Sequence, residues 1–419
     1  MILANARLID PEADVERRGR LRIEEGRIAE IVEDREIPAG AQDCQGRALA
    51  PGIVDIGVKI GEPGERHKES FRTAGLAAAA GGVTTMVTRP DTDPALDTPE
   101  LLEFFRRRAE TETSVRVLPM AALTKGREGR EMAEIGFLQD AGAVAFTDAD
   151  RPTRDARVLT RAMTYAAGLG ALVVTHVQEP TLSAGAAMTS GPYALKLGLP
   201  AVSPLAERVQ IERDLALAEM TGVRLHVDQV TTTGALAPLA RAKAAGLKVT
   251  AGTSIHHLTL NTFDVDAYRT FFKVKPPLRS EEDRQATVAA LAAGTIDIIS
   301  SMHTPQDEES KRLPFEEAAS GAVALETLLP AALQLVHAGH MTLGTLFRAL
   351  ALAPAELLGL PTGRLRVGAP ADLVLFDPDV PYVLDRATLH SKSKNTPYDL
   401  RRMQGRVLGT WIGGERIFG

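Results

Sequence analysis

Between residues 53 and 360, short apolar runs rich in β-branched residues alternate with longer stretches rich in Ala, Leu and Glu. This alternation is typical of repeated βα units, in which a helix carries the chain from one parallel strand to the next. The runs predict eight strands, at residues 53–60, 84–88, 114–120, 143–148, 171–176, 223–230, 247–254 and 296–301. Amphipathic helices are predicted at 155–170, 204–222, 234–246 and 280–294. Eight such pairs predict an α/β fold of the (β/α)8, or TIM, barrel type.

The two ends of the chain have a different pattern. Residues 21–32 alternate apolar and polar side chains around Glu25-Gly26, as a β-hairpin does, and residues 371–376 and 406–417 are also predicted as strands. We expect both ends to form one small composite β-domain, with crossing points at Pro51-Gly52 and at the Pro361-Thr362-Gly363 turn. The predicted segments are 1–52 and 361–419 for this domain and 53–360 for the barrel.

Composition narrows the class of protein. A chain of 419 residues with 44% hydrophobic side chains can bury a large core, and it has no uncharged apolar run of about 18 residues. Its acidic start is unlike a signal sequence, so a soluble cytoplasmic protein is expected. A net charge of −6 without a long basic tract argues against nucleic acid or a membrane surface as partner. The single cysteine, Cys44, excludes an internal disulfide framework and a Cys-rich zinc site.

Barrel enzymes carry their reactive groups at the carboxyl ends of the strands. The candidates at these positions are Lys59, Asp148, His176, His226, Gln229, Met302 and His303. A hydrolytic metal site commonly takes three or more His or carboxylate ligands plus an activated water. Asp148 and His176 alone are too few.

The segment PGIVDIGVKIGEPGERHKESFRTAGLAAAAGGVTTMVTRPDTDP, residues 51–94, resembles the dihydroorotase signature of the amidohydrolase superfamily. In that signature Pro-Gly-x-x-Asp precedes His-x-His, then Arg-Glu-Pro-Gly, and later Pro-Asn-Thr. Further matches are FTDAD, THVQE, LHVDQVTT, HHLTL, KVKPPLR, HTPQDEESK and GRLRVGAPADLVLFDP. The resemblance covers nearly the whole chain and implies an amidohydrolase-type barrel.

The departures from this family fall at its functional positions. The metal-binding His-x-His pair corresponds to Gly57 and Lys59, and the metal-binding His of strand six corresponds to Gln229. The strand-eight Asp, which acts as ligand and as general acid and base, corresponds to Met302, whose thioether cannot carry a proton. The resemblance therefore implies no catalytic residue and no bound metal, with Asp148 as part of a weak remnant.

That remnant would consist of Asp148 and His176. A second hypothesis concerns Lys59, whose ammonium group could neutralise Asp148 in place of the metal or could simply reach solvent.

The residues that hold the substrate in the family are also altered. The corresponding positions are Gly61 for an Arg, Asp91 for an Asn, Lys275 for an Asn and Gln306 for a His. The acid at Asp91 would repel the carboxylate of dihydroorotate, so we expect no binding of that substrate.

This sequence keeps the framework of the fold while its site is altered, and in this it resembles the non-catalytic dihydroorotase-like chain of aspartate carbamoyltransferase. The first hypothesis is therefore a scaffold of pyrimidine biosynthesis, inactive by itself and without a cofactor. It would assemble as a homo- or hetero-oligomer with the catalytic chain of that transferase.

Two alternatives stay open. The chain could be an active zinc-dependent dihydroorotase, interconverting N-carbamoyl-L-aspartate and L-dihydroorotate with Asp148, His176 and unrecognised ligands. It could instead bind another small ligand without metal at the barrel mouth, lined by Lys59, Lys275, His176 and His226. Lysines in place of neutral groups would favour an anion.

Overall fold

The strands of the computed structural model, which describes residues 1–34 and 36–419, form an outer group and a middle group. The chain begins with β1 (Ile2–Asp10), β2 (Val15–Glu24), β3 (Arg27–Val32), β4 (Gln42–Asp43) and β5 (Ala48–Pro51). The middle strands are β6 (Ile53–Val58), β7 (Val83–Thr88), β8 (Arg116–Pro119), β9 (Leu172–His176), β10 (Met188–Thr189), β11 (Ala201–Val202), β12 (Arg224–Asp228), β13 (Val249–Ser254) and β14 (Ile298–Ser300). The last strands are β15 (Leu373–Val383), β16 (Arg402–Ile412) and β17 (Glu415–Phe418).

The outer strands form one sheet in the order β17-β16-β15-β5-β1-β2-β3, with β4 also paired to β1. This sheet joins strands from both ends of the chain and encloses a small core of its own around Leu21, Leu373 and Trp411. The β2–β3 hairpin turns at Glu25-Gly26, where both residues have positive φ, as a tight hairpin turn requires. The single strand expected at 406–417 is wrong, because the chain reverses at Gly413-Gly414 to give β16 and β17. The domain boundaries at 52 and 360 stay a prediction.

The middle strands form three parallel sheets, β6-β7-β8, β9-β12-β13-β14 and the two-stranded β10-β11. Seven of the eight predicted strands are therefore confirmed, with bounds shifted by up to two residues. The strand expected at 143–148 is reduced to single bridges at Phe146, one to Ala121 and one to Val173. Its regular course stops early because Asp148 bonds to the Thr124 backbone and Ala149 adopts positive φ.

The edges of these sheets approach one another at two places. Phe146 lies between the two larger sheets, and Lys59 N donates to His303 O at 2.8 Å between the segments that follow β6 and β14. Ser301 N also donates to Asp55 Oδ1 at 2.9 Å. These contacts support the predicted (β/α)8 barrel, whose full closure stays a prediction.

Helices connect the strands. They are α1 (Phe71–Ala80), α2 (Pro99–Glu112), α3 (Ile135–Asp140), α4 (Ala156–Gly168), α5 (Pro192–Leu197), α6 (Leu205–Thr221), α7 (Thr233–Ala244), α8 (Ile255–Thr259), α9 (Glu281–Ala292), α10 (Glu308–Arg312), α11 (Leu328–His337), α12 (Leu343–Phe347) and α13 (Ala353–Leu357). The four predicted helices match α4, α6, α7 and α9. Side chains at the N-caps, such as Asp155 of α4 and Ser280 of α9, accept backbone hydrogen bonds and fix where these helices begin. No helix of the described residues is long and apolar enough to cross a membrane.

Candidate site at the strand ends

The carboxyl ends of the parallel strands meet at one edge of the fold, and we call this edge the strand-end site. It has two parts that differ in packing. We define the closed half as Asp55, Gly57, Lys59, Arg89, Asp91, Asp228 and Met302. We define the open half as Asp150, Arg151, Arg154, His176, Gln178 and Lys275, all of which line one cavity.

In the closed half, Met302 packs directly against Gly57. A Cβ atom built on Gly57 would lie 2.5 Å from Met302 Sδ and 3.1 Å from Ser300 Cβ. Met302 itself is only 5% exposed, so it has little space to move away. No side chain larger than that of glycine fits at position 57 without repacking. The place of the family's first metal-binding His is therefore filled.

The backbone at two altered ligand positions is unusual. Gln229, just after β12, and Met302, just after β14, have φ of 56° and 48°. This left-handed region is uncommon for residues other than glycine and costs of order 1 kcal/mol. Each of these strands is thus followed by a bend whose residue, a buried amide in one and a thioether in the other, is not a good zinc ligand.

Lys59 does not lie where it was expected. Its Nζ is 2.7 Å from Glu65 Oε2 and 3.8 Å from Asp91 Oδ2, and it forms no ion pair with Asp148 among the described residues. Burial raises the pKa of Glu65, but the hydrogen bonds and charges of Lys59 and Lys68 lower it overall. The hypothesis that Lys59 neutralises Asp148 is wrong, because the segment after β6 folds back and offers Glu65 as a nearer partner.

Asp148 is satisfied by hydroxyl and amide donors. Its Oδ1 accepts from Thr124 N at 2.9 Å, and its Oδ2 accepts from Thr124 Oγ1 at 2.6 Å and from Thr153 Oγ1 at 3.3 Å. Burial raises the pKa of this carboxyl despite these bonds. Three of the roughly four lone-pair sites of the carboxylate are thus already engaged.

His176 ends β9 and is 2% exposed, and neither ring nitrogen has a hydrogen-bond partner among the described residues. Burial, helped by the charge of Lys275, lowers its pKa to about 3, so the ring is neutral near pH 7. It forms no ion pair with Asp148 in the described part of the chain. The weak remnant metal site of these two residues stays a prediction.

The principal cation of the closed half is Arg89, a residue that the sequence interpretation missed. It follows β7 directly, is 7% exposed, and donates through Nη2 to Asp91 Oδ2 at 3.3 Å and to Thr304 Oγ1 at 3.0 Å. Burial raises the pKa of Asp228 to about 6, the charge of Arg89 opposes this rise, and Asp55 adds to it. An arginine immediately after the predicted strand at 84–88 was the signal that could have been used.

These donors do not fit a zinc ion. The described residues contain no group of three or more His, Cys, Asp or Glu side chains that could hold a metal. Protein zinc sites use at least three such ligands. Asp55 Oδ1 already accepts from Ser301 N, and burial raises the pKa of this carboxyl.

The altered substrate positions are divided between the two halves and the surrounding loops. A Cβ atom on Gly61 would overlap the carbonyl oxygen of Glu65, so an arginine has no room there. Gln306 donates to Ser320 O at 2.8 Å as a loop-packing residue. Asp91 pairs with Arg89, whereas Lys275 Nζ lies 3.2 Å from Asp150 Oδ2 on the open side.

The open half surrounds a cavity of about 1010 Å³. Six of its lining side chains are cationic, namely Arg127, Arg130, Arg151, Arg154, Lys273 and Lys275, and four are acidic, namely Glu128, Asp150, Asp155 and Glu316. Lys275 and His176 line it as expected, but Lys59 and His226 do not. His226 is instead buried within the strands, with Nδ1 2.8 Å from Thr250 Oγ1.

His303 makes structural contacts and does not line the cavity. Its Nδ1 accepts from Ala324 N at 3.1 Å, which places the proton on Nε2, 3.4 Å from the buried carboxylate of Glu69. Glu69 also accepts from Lys392 N at 3.0 Å and from the hydroxyl of Ser391. This cluster ties the C-terminal segment to the segment before α1.

Known proteins resemble this chain over its full length. A family model described as Dihydro-orotase-like matches residues 46–234, and one described as Amidohydrolase family matches residues 335–418. A protein named Dihydroorotase from Syntrophus aciditrophicus (strain SB) is 38% identical, covering 100% of this chain and 99% of that protein. Another of that name, from Anaeromyxobacter dehalogenans (strain 2CP-1 / ATCC BAA-258), is 40% identical, covering 100% and 97%.

Solved structures agree with this placement. The L-hydantoinase (dihydropyrimidinase) of Arthrobacter aurescens superposes with a TM-score of 0.89 at 26% identity, covering 99% of this chain and 95% of that one. The fold is thus an α/β fold of the amidohydrolase type. With relatives of this identity along its whole length, the chain belongs to the dihydroorotase family.

Proposed function

We propose that this dihydroorotase-family protein acts in pyrimidine biosynthesis without hydrolysing the ring through a metal-activated water of its own. One observation carries the proposal: the strand-end site brings no three metal-binding side chains together among the described residues, and Met302 fills the space beside Gly57. Hydrolysis of a cyclic amide needs an activated water and a general acid, and each contributes orders of magnitude in rate. Met302 supplies neither.

A protein that keeps its fold but lacks this chemistry can act through its surface. The proposed role is that of a non-catalytic subunit that holds aspartate carbamoyltransferase catalytic chains in a larger assembly. This role rests on the resemblance described for the sequence and on the altered site. The reported relatives carry no name that points to such a subunit.

The second candidate function is that of an active zinc-dependent dihydroorotase. The comparisons favour this candidate over the scaffold, because relatives 38% and 40% identical over the full chain are named Dihydroorotase. Because this family is typically metal-dependent, a bound zinc ion would be expected for the second candidate. The geometry opposes it at four positions, which are Gly57, Lys59, Gln229 and Met302.

Zinc content and turnover separate the two candidates. The full chain would be purified with zinc in the medium, its metal measured by elemental analysis, and its conversion of L-dihydroorotate and of N-carbamoyl-L-aspartate assayed. A relative named Dihydroorotase, prepared in parallel, is the positive control. We expect substoichiometric zinc and no turnover. Stoichiometric zinc with turnover would overturn the proposal and establish the second candidate.

The scaffold role needs its own measurement. The chain would be co-expressed with the aspartate carbamoyltransferase of the same genome, and the mass of the purified complex measured by analytical ultracentrifugation. We expect co-purification and a species larger than the transferase alone. An inactive, zinc-free chain that sediments separately would refute the scaffold while leaving the absence of hydrolysis intact.

A further inference from the structure

We propose that the open half is a metal-independent binding site for a small organic oxyanion, a ligand that bears carboxylate or phosphate groups together with a neutral hydrogen-bonding group. This inference does not depend on the scaffold role, since an anion could bind there whether or not the chain assembles with a transferase. It concerns positions other than Gly61 and Asp91, where the family's carboxylate clamp would lie.

Charge is the first observation. The cavity lining carries more cations than carboxylates, although the whole chain has a net charge of −6. A cationic wall in an acidic protein concentrates anions locally. The volume of about 1010 Å³ suits a metabolite-sized ligand with bound water.

Two of the arginines that line the cavity form no ion pair with the residues that the structure describes. Lys275 and Arg127 are held by Asp150, at 3.2 Å and 2.6 Å, so they are already paired. Arg151 and Arg154 are exposed and have no ion-pair partner within 4.0 Å among the described residues, although both line the cavity. A guanidinium group offers two parallel N–H donors that match the oxygens of carboxylate or phosphate.

The second observation concerns the floor of the cavity. His176 is 2% exposed and Gln178 is 3% exposed, yet both ring nitrogens of His176 and Oε1 of Gln178 have no partner among the described residues. A buried polar group without a hydrogen bond is unfavourable, so such groups usually meet water or a ligand. An imidazole ring can offer a hydrogen-bond donor on one nitrogen and an acceptor on the other. A hydroxyl or amide group on the ligand would form hydrogen bonds with His176 and Gln178, while its anionic group would bind Arg151 and Arg154.

The test uses the full chain and three probes: L-malate, succinate and inorganic phosphate. Malate and succinate have the same charge and differ by one hydroxyl group, so they report on the floor, whereas phosphate reports on the arginines alone. Titration calorimetry at low salt is expected to give one saturable site, with malate tighter than succinate. Phosphate binding tighter than malate would identify the anionic group as phosphate.

Matched variants locate the site. Arg151→Ala/Arg154→Ala is expected to weaken every probe about tenfold or more, because it removes the two unpaired guanidinium groups. Arg157→Ala/Arg161→Ala removes two exposed arginines of α4 that do not line this cavity, and it should leave affinity nearly unchanged. His176→Phe should abolish the preference for malate over succinate.

Three outcomes would overturn the inference. They are the absence of saturable binding of any probe, equal weakening by both double variants, and an unchanged malate preference in His176→Phe. Circular dichroism of each variant confirms that the comparison is made on folded protein.

Discussion

The closed and open halves of the strand-end site lie at the same edge of the same fold, but they are built differently. In the closed half, buried side chains pair or pack with one another, as Arg89 does with Asp91 and as Met302 does with Gly57. In the open half, Arg151 and Arg154 face a cavity without a carboxylate partner in the described part of the chain. The difference indicates that the space beside Gly57 is filled, while space for a ligand remains in the open half.

Arg89 should matter most for stability, because it is the buried cation that faces the carboxylates of the closed half. Arg89→Leu leaves Asp91 without its arginine partner. It also removes a positive charge that favours the ionised form of Asp228. Removing one partner of a buried pair costs about 4 kcal/mol, and we expect a loss of that size in urea unfolding. Asp91→Asn in the same chain should recover part of it. Arg107→Leu, at a side chain that is 81% exposed, is the control and should change stability by less than about 0.5 kcal/mol. If Arg89→Leu behaved like this control, the closed half would not depend on ion pairing.

Gly57→His tests whether the closed half is full. The new ring would meet Met302 Sδ and Ser300, and overpacking of this kind costs about 3 kcal/mol. The cost should be smaller in a Met302→Ala background, which a double-mutant cycle would measure. Gly168→His is the matched control, since a Cβ atom there meets nothing within 4 Å. Equal costs in both Met302 backgrounds would show that the two residues do not compete for space.

Much of this arrangement was predictable from local patterns. The alternation of apolar runs and amphipathic stretches predicts the middle strands because each buried parallel strand needs a continuous apolar run. The apolar run at 143–148 was misleading, since the Asp148 side chain accepts a hydrogen bond from the Thr124 backbone where the regular strand pairing ends. The altered ligand positions were visible because they are single residues inside matched motifs.

The partners of these residues could not be predicted. Lys59 pairs with Glu65 because the segment after β6 folds back, and no periodic pattern encodes that turn. Met302 meets Gly57 across strands that are distant in sequence, so the filling of the metal position depends on tertiary packing. The division into two halves follows from these contacts, and single-sequence patterns contain no information on them.

Asp228 allows the closed half to be tested through pH. Burial raises its pKa from 3.8 to about 6, so the folded chain holds this proton more tightly than the unfolded chain does. The ionised group therefore costs no stability well below pH 3.8, and the cost grows between pH 3.8 and about 6 and is complete above that range. Asp228→Asn should be nearly neutral at about pH 3 and should raise the free energy of unfolding by about 3 kcal/mol at about pH 8, since each pKa unit corresponds to about 1.4 kcal/mol. A gain of the same size at both pH values would assign the effect to packing and not to charge.

Lys275 should give the smallest change in stability. It is 41% exposed and pairs with Asp150, which is 39% exposed and keeps Arg127 Nη2 at 2.6 Å when the lysine is removed. Exposed ion pairs contribute little, so Lys275→Met should lower the free energy of unfolding by about 0.5 kcal/mol or less. The same variant lowers the positive charge of the cavity and should weaken the binding of malate. A loss in the free energy of unfolding above about 2 kcal/mol would mean that ion pairs stabilise the open half as they do the closed half. The distinction between a filled half and a half available to a ligand would then fail.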